Sequence, residues 1–199
     1  PVLVITGCNP VSMADSAALQ DMDHTRAARS MTKWSATVHE SWRLAEYIDR
    51  ACRIALSGRP GPVLLEIPKN VSEGEVDGAL AAQSLLPLIE VDRPLADSRS
   101  IERAAELLSE AERPLIIAGN GAYWGHAGPG LRRLTEEFRI PVLTKGAARG
   151  IVDEDQETGF GFPLGYLAAK EADVIMVAGA RMGHPMGYAA PPFYGEDTR

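Results

Sequence analysis

The sequence predicts an α/β fold: doubly wound parallel sheets with flanking helices, organised as one partial and one nearly complete domain. Two observations support this prediction. Short apolar runs of buried-strand length alternate with segments whose apolar residues recur every three or four positions. Glycine or proline stands at most of the junctions between these segments. Strand–helix units that follow one another in this way favour right-handed parallel connections.

The first half of the chain begins with a predicted strand over residues 1–7, which ends in glycine. A helix is predicted over about residues 41–57, where apolar residues at helical spacing form one stripe. We expect Trp42 in the core of this helix face and Ser41 as its N-cap.

The segment after this helix predicts a turn and a buried strand. Gly58 is expected to close the helix in the left-handed conformation, and the prolines that follow prevent its continuation. Val63–Ile67 form an apolar run of buried-strand length. Arg59 and Lys69 lie at the two ends of this strand, and strand ends are where α/β proteins place ligand contacts. Two solvated cations would fit the same pattern.

The second half predicts alternating helices and strands, with Ser100 as a helix N-cap. Helices are predicted over about residues 100–111, 128–138 and 163–171, and strands over 114–118, 140–144 and 173–178. The glycine-rich loop 145–162 has a length that is typical of functional or mobile loops.

Composition excludes several classes of protein. The chain has 199 residues, a net charge of −7 and a pI near 5.1, so no nucleic-acid surface is indicated. No apolar run is long enough to span a membrane. Two cysteines, Cys8 and Cys52, are too few for a disulfide framework, which favours a reducing, cytoplasmic compartment. The four histidines have no metal-ligand spacing.

Three predicted strands of the second half end directly before a glycine or a Lys-Gly pair. The last residues of these strands are Ala118, Thr144 and Ala178. The three strand ends should line one edge of the sheet, where open α/β sheets bind nucleotides. We expect glycine there to leave backbone N–H groups free for anions. The Gly119-x-Gly121 pair alone is equally typical of a tight turn. Arg181 could pair with a phosphate or be a surface arginine.

Motifs of the first half resemble a known family. They are Thr-Gly at 6–7, Gln-Asp at 20–21, Thr-Lys-Trp at 32–34 and Ser-Gly-Arg-Pro-Gly-Pro-Val-Leu-Leu-Glu-Ile-Pro-Lys at 57–69. Their order resembles the second half of the pyrimidine-binding domain of thiamine-diphosphate enzymes of the acetolactate synthase type. Leu19 replaces the phenylalanine that this family usually has there.

Residues 100–199 resemble most of the central domain of the same enzymes, which binds FAD in acetolactate synthases or an ADP moiety in some acyl-CoA-handling relatives. The matching loops are Ala-Gly-Asn-Gly-Ala at 118–122, Leu-Thr-Lys-Gly-Ala at 143–147 and Val-Ala-Gly-Ala-Arg at 177–181. After Arg181 the chain continues with Met-Gly-His-Pro instead of the Phe-Asp-Asp-Arg of biosynthetic synthases. Residues 186–193 are more similar to the oxalyl-CoA decarboxylase, 2-hydroxyacyl-CoA lyase and benzaldehyde lyase branch.

The resemblance implies three domain segments: 1–72 from the pyrimidine-binding domain, a linker over 73–99, and a truncated central domain over 100–199. We therefore expect the chain to be a fragment of a longer protein. That protein would be a thiamine-diphosphate- and Mg-dependent lyase or carboligase acting on a 2-oxo acid or acyl-CoA substrate, as a homodimer or homotetramer. The alternatives are a 2-hydroxyacyl-CoA lyase or oxalyl-CoA decarboxylase type of enzyme binding ADP, a non-catalytic nucleotide-binding module, and a structural piece that serves dimerisation.

The resemblance also implies where the ligands would bind. The family's catalytic carboxylate and its Gly-Asp-Gly metal motif lie outside the matched region, so we expect no catalytic residue, no metal ligand and no activity in this fragment alone. Gln20 and Lys69 are expected beside the substrate pocket. FAD, ADP or nothing would occupy the central domain. The expected cofactor-binding residues are Arg59, Gly119, Asn120, Gly121, Thr144, Lys145, Gly146, Gly179 and Arg181.

Two acids and a histidine follow Gln20. Asp21 and Asp23 are two positions apart, which sends their side chains to opposite faces of a regular element, so capping or a turn is favoured over acid–base work. His24 could approach the substrate pocket, although a half-exposed structural histidine is favoured.

Overall fold

The computed structural model describes residues 1–19, 21–83, 95–161 and 164–199, and the chain divides into two compact units, residues 1–92 and 93–199. Every strand pair among the described residues is parallel. The predicted α/β class with helices beside parallel sheets is therefore confirmed. The boundaries of the three domain segments stay a prediction, and residues 84–94 of the expected linker lie outside the described residues.

The first unit is built around a three-stranded sheet in which β3 is central, in the order β1-β3-β2. Short 3-10 turns cover Val11–Met13 and Ser41–Arg43. The regular elements are β1 (Val2–Cys8), α1 (His24–Ala28), β2 (Trp34–Thr37), α2 (Leu44–Leu56), β3 (Pro62–Pro68), α3 (Lys69–Ser72) and α4 (Gly78–Gln83).

The core of the first unit lies between α2 and the sheet. Ala51 and Ala55 of α2 pack with Val63 and Leu65 of β3, and all four side chains are buried. Gly58 has a φ of +53° directly after α2, as the sequence predicts for a left-handed helix end. Helix α4 lies inside the expected linker segment.

Two expectations at the start of α2 are wrong. Residues 41–43 form a 3-10 turn and the helix itself begins at Leu44, so Ser41 does not cap it; its Oγ donates to the carbonyl oxygen of Val71 at 2.8 Å instead. Trp42 is 40% exposed, because the turn takes it out of phase with the apolar stripe of α2. The Arg43 guanidinium lies 5.9 Å from the centre of its ring.

The second unit has a four-stranded sheet in the order β6-β5-β4-β7. A 3-10 turn covers Gly146–Ala148, and the turns over His184–Ala189 are interrupted at Met186, Gly187 and Tyr188, whose backbone angles are not helical. The regular elements are α5 (Ser98–Glu110), β4 (Pro114–Ala118), α6 (Asn120–Trp124), α7 (Gly128–Phe138), β5 (Val142–Thr144), β6 (Gly159–Gly161), α8 (Gly165–Glu171) and β7 (Val174–Ala178).

Alternate residues of β4 enter two different cores, which is the signature of a sheet covered on both faces. Ile116 packs in a cluster with Leu131 of α7, whereas Ile117 packs in another with Ala169 of α8. The order of the strands reverses at β4, since β5 lies on one side of it and β7 on the other. Such a reversal places a crevice at the carboxyl ends of β4 and β7.

Helix α5 differs from the other long helices of this unit, because none of its residues is buried. Its apolar residues, among them Ile101 and Leu108, line an open apolar groove of about 1160 Å³. The expected N-cap Ser100 is wrong: Asp97 caps the helix, and its carboxylate accepts from the backbone N–H of Ser100 at 3.1 Å. None of the described helices is long and apolar enough to cross a membrane.

The lysine of the Thr-Lys-Trp motif closes the end of α2, and this contact is testable. The Nζ of Lys33 donates to the carbonyl oxygens of Ile54 and Ser57, in the last turn of the helix and at its C-cap. We expect Lys33→Met to lower the free energy of unfolding by about 1 kcal/mol, because these carbonyls lose a charged donor. Urea denaturation measures this, and Lys33→Arg is the matched control that keeps a donor. A Met variant as stable as the parent would refute the capping role.

Candidate functional site

Polar side chains gather where the strands of the first unit end. We call this cluster, formed by Cys8, His24, Thr37, Glu66 and Lys69, the first edge. Glu66 of β3 is in register with Thr37 of β2, so both side chains lie on the same face of the sheet. Cys8 is in register with Pro68, two residues further along β3, and therefore shares this face.

Glu66 is the centre of the first edge. Its side chain is only 9% exposed, and its two oxygens have separate partners: His24 Nδ1 lies 2.6 Å from Oε1 and Thr37 Oγ1 donates to Oε2 at 2.8 Å. The thiol of Cys8 is a third hydrogen-bond partner. Burial and then the neighbouring negative charge of Glu66 raise the pKa of Cys8.

Helix α1 holds His24 against Glu66. Asp23 caps the helix, accepting from the backbone N–H of Arg26 at 2.7 Å, which bears out capping as its role and lowers the pKa of its carboxyl. Ser35 of β2 donates from its Oγ to the carbonyl oxygen of Thr25 at 2.8 Å, so α1 is tied to the sheet. His24 is the first residue of this helix, and its side chain is 22% exposed.

Of the two expected substrate-pocket residues, Lys69 is among the described residues. Lys69 begins α3 at the first edge, where its ammonium is exposed and 3.8 Å from Glu73, a separation at which an exposed ion pair contributes little. Gln20 lies outside the described residues. Glu66 is not among the site residues expected from the sequence, although an acid inside the apolar run Val-Leu-Leu-Glu-Ile is a signal for a buried, partnered carboxylate.

The second unit gathers a different set of residues, which we call the second edge: Gly119, Lys145, Gly179 and Arg181. A Cβ atom on Gly119 would lie 2.5 Å from the Cα of Ala180, and one on Gly179 would lie 2.4 Å from the backbone nitrogen of Ala122. Gly179 also has a φ of +60°. These glycines are required because two backbones cross in contact.

The expectation that glycine would leave N–H groups free for anions is wrong at two positions. Gly119 donates its N–H to the carbonyl oxygen of Ala178 at 3.0 Å, and Gly121 donates to that of Gly179 at 2.8 Å. The close contact between the ends of β4 and β7 consumes both donors. An anion at the second edge would therefore depend on side chains.

Three other expected cofactor-binding residues build the loop after β5. Asn120 Oδ1 accepts from the backbone N–H of Ala147 at 2.9 Å, across Gly146, whose φ is +59°. Thr144 is fully buried and donates from Oγ1 to Glu154 at 2.9 Å. Arg149 binds the same carboxylate with two nitrogens at 3.1 Å, which together with the Thr144 bond lowers the pKa of Glu154.

Two cationic residues, Lys145 and Arg181, are in contact at the second edge through the backbone of Arg181. The Nζ of Lys145 donates to the backbone carbonyl of Arg181 at 3.4 Å, and partial burial lowers the pKa of the ammonium. Arg181 is exposed, and no ion pair of its guanidinium occurs among the described residues. Their positions after β5 and β7 flank β4, so the crevice at the strand reversal is bordered by positive charge.

Arg59 and Lys69, two expected binding residues of the first unit, lie at opposite ends of β3. Arg59 is exposed between α2 and β3, at the amino end of β3, whereas Lys69 follows the carboxyl end of the same strand. Arg59 is thus no part of the first edge. Within the described ranges, no group of three or more His, Cys, Asp or Glu side chains is arranged to hold a metal ion.

Comparison with known proteins gives one family match. Residues 101–198 match the family described as thiamine pyrophosphate enzyme, central domain. These residues include the whole second edge.

Similarity to individual proteins covers both units. A probable acetolactate synthase of Mycobacterium bovis is 33% identical over 190 residues, which are 94% of this chain and 34% of that protein. The oxalyl-CoA decarboxylase of Escherichia coli K12 is 32% identical over 193 residues, 92% of this chain and 33% of that protein. A probable acetolactate synthase large subunit of Methanocaldococcus jannaschii is 33% identical over 193 residues, 91% of this chain and 32% of that protein. The chain thus spans about a third of the length of these curated relatives. The resemblance found in the motifs is confirmed.

The glycine contact at the second edge predicts a clear steric effect. Gly119→Ala should lower the free energy of unfolding by roughly 2 kcal/mol or more, because the new methyl group meets backbone that cannot move aside. Gly130→Ala is the control: it lies in α7 with nothing within 4 Å of the new methyl, so it should be neutral or stabilise by up to about 1 kcal/mol. Chemical denaturation measures the free energy of unfolding of both variants. Equal values for the two would contradict the close backbone contact at Gly119.

The environment of Cys8 predicts unequal thiol reactivity. The thiolate is the reactive form, so the raised pKa should make Cys8 react about tenfold more slowly with iodoacetamide at pH 8 than the exposed Cys52. Raising the pH towards 10 should narrow this gap. Glu66→Gln should speed Cys8 alkylation by about threefold, because a negative charge is removed, and leave Cys52 unchanged. Peptide mass spectrometry at timed intervals measures both rates, and a Cys8 that reacts first would refute the assignment.

Proposed function

We propose, from the membership of residues 101–198 in the family of thiamine pyrophosphate enzyme central domains, that this chain is part of a thiamine-diphosphate-dependent lyase or carboligase acting on 2-oxo acids. One observation carries the proposal: similarity to acetolactate synthases and to oxalyl-CoA decarboxylase extends over more than nine-tenths of the chain.

One part of the chain in such a reaction is recognition. Thiamine diphosphate, held with Mg²⁺, would supply the stabilisation of a carbanion at the former carbonyl carbon. The resemblance places the family's Gly-Asp-Gly metal motif outside the matched region, so the metal would be held elsewhere in the protein. Lys69, exposed at the carboxyl end of β3, would attract the carboxylate of a 2-oxo acid, and Gln20 would donate an amide hydrogen bond to it.

The second edge is suited to a nucleotide, as FAD or as ADP. Lys145 and Arg181 can pair with phosphate oxygens, and neither is neutralised by a carboxylate among the described residues. A phosphate beside Lys145 would also favour the charged form of an ammonium whose pKa burial lowers. Gly119, Gly121 and Gly179 would act by shaping the crevice, since their contacts are made with protein backbone.

A second candidate function has its own support. The similarity to oxalyl-CoA decarboxylase, together with Met-Gly-His-Pro after Arg181, favours an acyl-CoA substrate with ADP at the second edge. In either case we infer a homo-oligomer in the cytoplasm, and the two free thiols, Cys8 and Cys52, agree with a reducing compartment. A non-catalytic nucleotide-binding module would bind the nucleotide and would have no activity that depends on thiamine diphosphate.

The reaction class is tested by assaying the complete protein with pyruvate and with oxalyl-CoA. We expect carbon dioxide release or carboligation that requires both thiamine diphosphate and Mg²⁺, and none from the 199-residue chain alone. Turnover without thiamine diphosphate would contradict the proposal, and turnover by the isolated chain would show that the catalytic parts are not missing.

The nucleotide is tested by isothermal titration of FAD and of ADP. Arg181→Ala should weaken binding at least tenfold, about 1.4 kcal/mol, because a phosphate partner is lost. Arg133→Ala is the matched control, since Arg133 is an exposed arginine of the same unit that already pairs with Glu137 at 2.9 Å. Equal effects of the two substitutions, or no binding of either ligand, would contradict a nucleotide at the second edge.

A further inference from the structure

The Glu66–His24 pair is more elaborate than the fold of the first unit requires. A buried carboxylate is costly unless hydrogen bonds compensate it. Glu66 obtains its partners from three separate segments: Cys8 at the end of β1, His24 on α1 and Thr37 at the end of β2. An apolar residue in this strand would need none of them.

The contacts of Glu66 determine which ring nitrogen of His24 faces the carboxylate and which one is free. Thr37 and Cys8 both donate to Glu66, so the carboxyl group acts as an acceptor, and His24 Nδ1 therefore carries the proton that lies between the two side chains. The opposite nitrogen, Nε2, has no partner in the described part of the chain. The His24 side chain remains 22% exposed, which leaves part of the ring accessible to a ligand at the first edge.

A neighbouring side chain also points to a polar ligand. The amide nitrogen of Asn9, the residue after Cys8, is buried and has no hydrogen-bond partner among the described residues. A buried donor without a partner is rare in folded proteins and calls for an explanation, such as a polar group bound beside it. Asn9 and the Glu66–His24 pair belong to the same set of strand ends.

We infer that His24, oriented by Glu66, is the residue that exchanges a proton with the oxygen of the acceptor substrate in this enzyme. The inference rests on the proposed function, because it places the 2-oxo acid or aldehyde acceptor at the first edge. A carboxylate behind one ring nitrogen and a free second nitrogen is the arrangement that lets histidine act as acid and base in turn.

The proton step balances in both directions. When a carbon–carbon bond forms, the donor carbon supplies the electron pair, the π pair of the acceptor carbonyl moves to its oxygen, and that oxygen takes the Nε2 proton of the imidazolium. A hydroxyl group and a neutral imidazole result. When the bond is cleaved, Nε2 takes the hydroxyl proton, the O–H pair becomes the carbonyl π bond, and the donor carbon keeps the bonding pair.

The test is kinetic and uses the complete holoenzyme. His24→Gln should lower kcat about 100-fold with KM within about threefold, and should remove one limb of the pH–rate profile. Glu66→Gln should lower kcat less, about tenfold, because the ring loses its orientation and keeps its nitrogen. Imidazole added to His24→Ala should restore part of the rate, which a purely structural role would not produce. The matched control is His39→Gln, an exposed histidine of the same unit with no carboxylate partner among the described residues.

A second measurement needs no variant. Pyruvate should slow the alkylation of Cys8 in the wild-type protein and leave Cys52 unaffected, because only Cys8 lies at the first edge. Absence of this protection would overturn the placement of the substrate. A His24→Gln enzyme with kcat within twofold of the parent and the same pH profile would overturn the proton role. A complete protein without thiamine-dependent turnover would instead refute the proposed function on which the inference rests.

Discussion

The parallel pairing of every described strand is the constraint on which the other features depend. Parallel strands cannot be joined by hairpins, so each connection must return along a face of the sheet, usually through a helix. This places all carboxyl ends of a sheet on one edge. Residues as distant in sequence as Cys8 and Glu66, or Lys145 and Arg181, meet for that reason.

Close backbone contact at the second edge decides what kind of site it can be. At many nucleotide sites a glycine loop offers its N–H groups to phosphate. Here Gly119 and Gly121 donate to the neighbouring strand end. The positive charge that borders the crevice comes from Lys145 and Arg181, which are flexible side chains. Recognition by such side chains depends on ionic strength more strongly than recognition by backbone does.

The first edge is organised around a negative charge, the carboxylate of Glu66, whereas the second edge carries positive side chains. Glu66 is buried, and a buried carboxylate is tolerated only while its hydrogen bonds persist. Its partners belong to β1, α1 and β2, so the geometry around His24 exists only when these elements are docked together. The positions of Asp23 as the cap of α1 and of Ser35 as its tie to β2 serve this docking. The local order of the first unit and the orientation of the imidazole are thus coupled.

Much of this protein was determined by local sequence. Apolar runs and helical spacing located β3, β4, α2 and α7, and Gly58 ended α2 as glycine's freedom at positive φ predicts. The glycines after β4 and β7 lie where the ends of these two strands are in contact. These features depend on neighbours in the chain, which is why the sequence alone indicates them.

Tertiary structure decided the rest. Short elements such as α1, β2 and β6 carry too few residues for a period to emerge, and they exist because the sheet holds them. The backbone N–H groups of Gly119 and Gly121 donate to carbonyl oxygens at the end of β7, and no local sequence pattern reveals that β7 lies beside them. The pairing of His24 with Glu66 joins residues 42 positions apart. The sequence determined which groups were available, and the parallel packing of the strands determined which of them meet, because contact between distant residues is a property of topology.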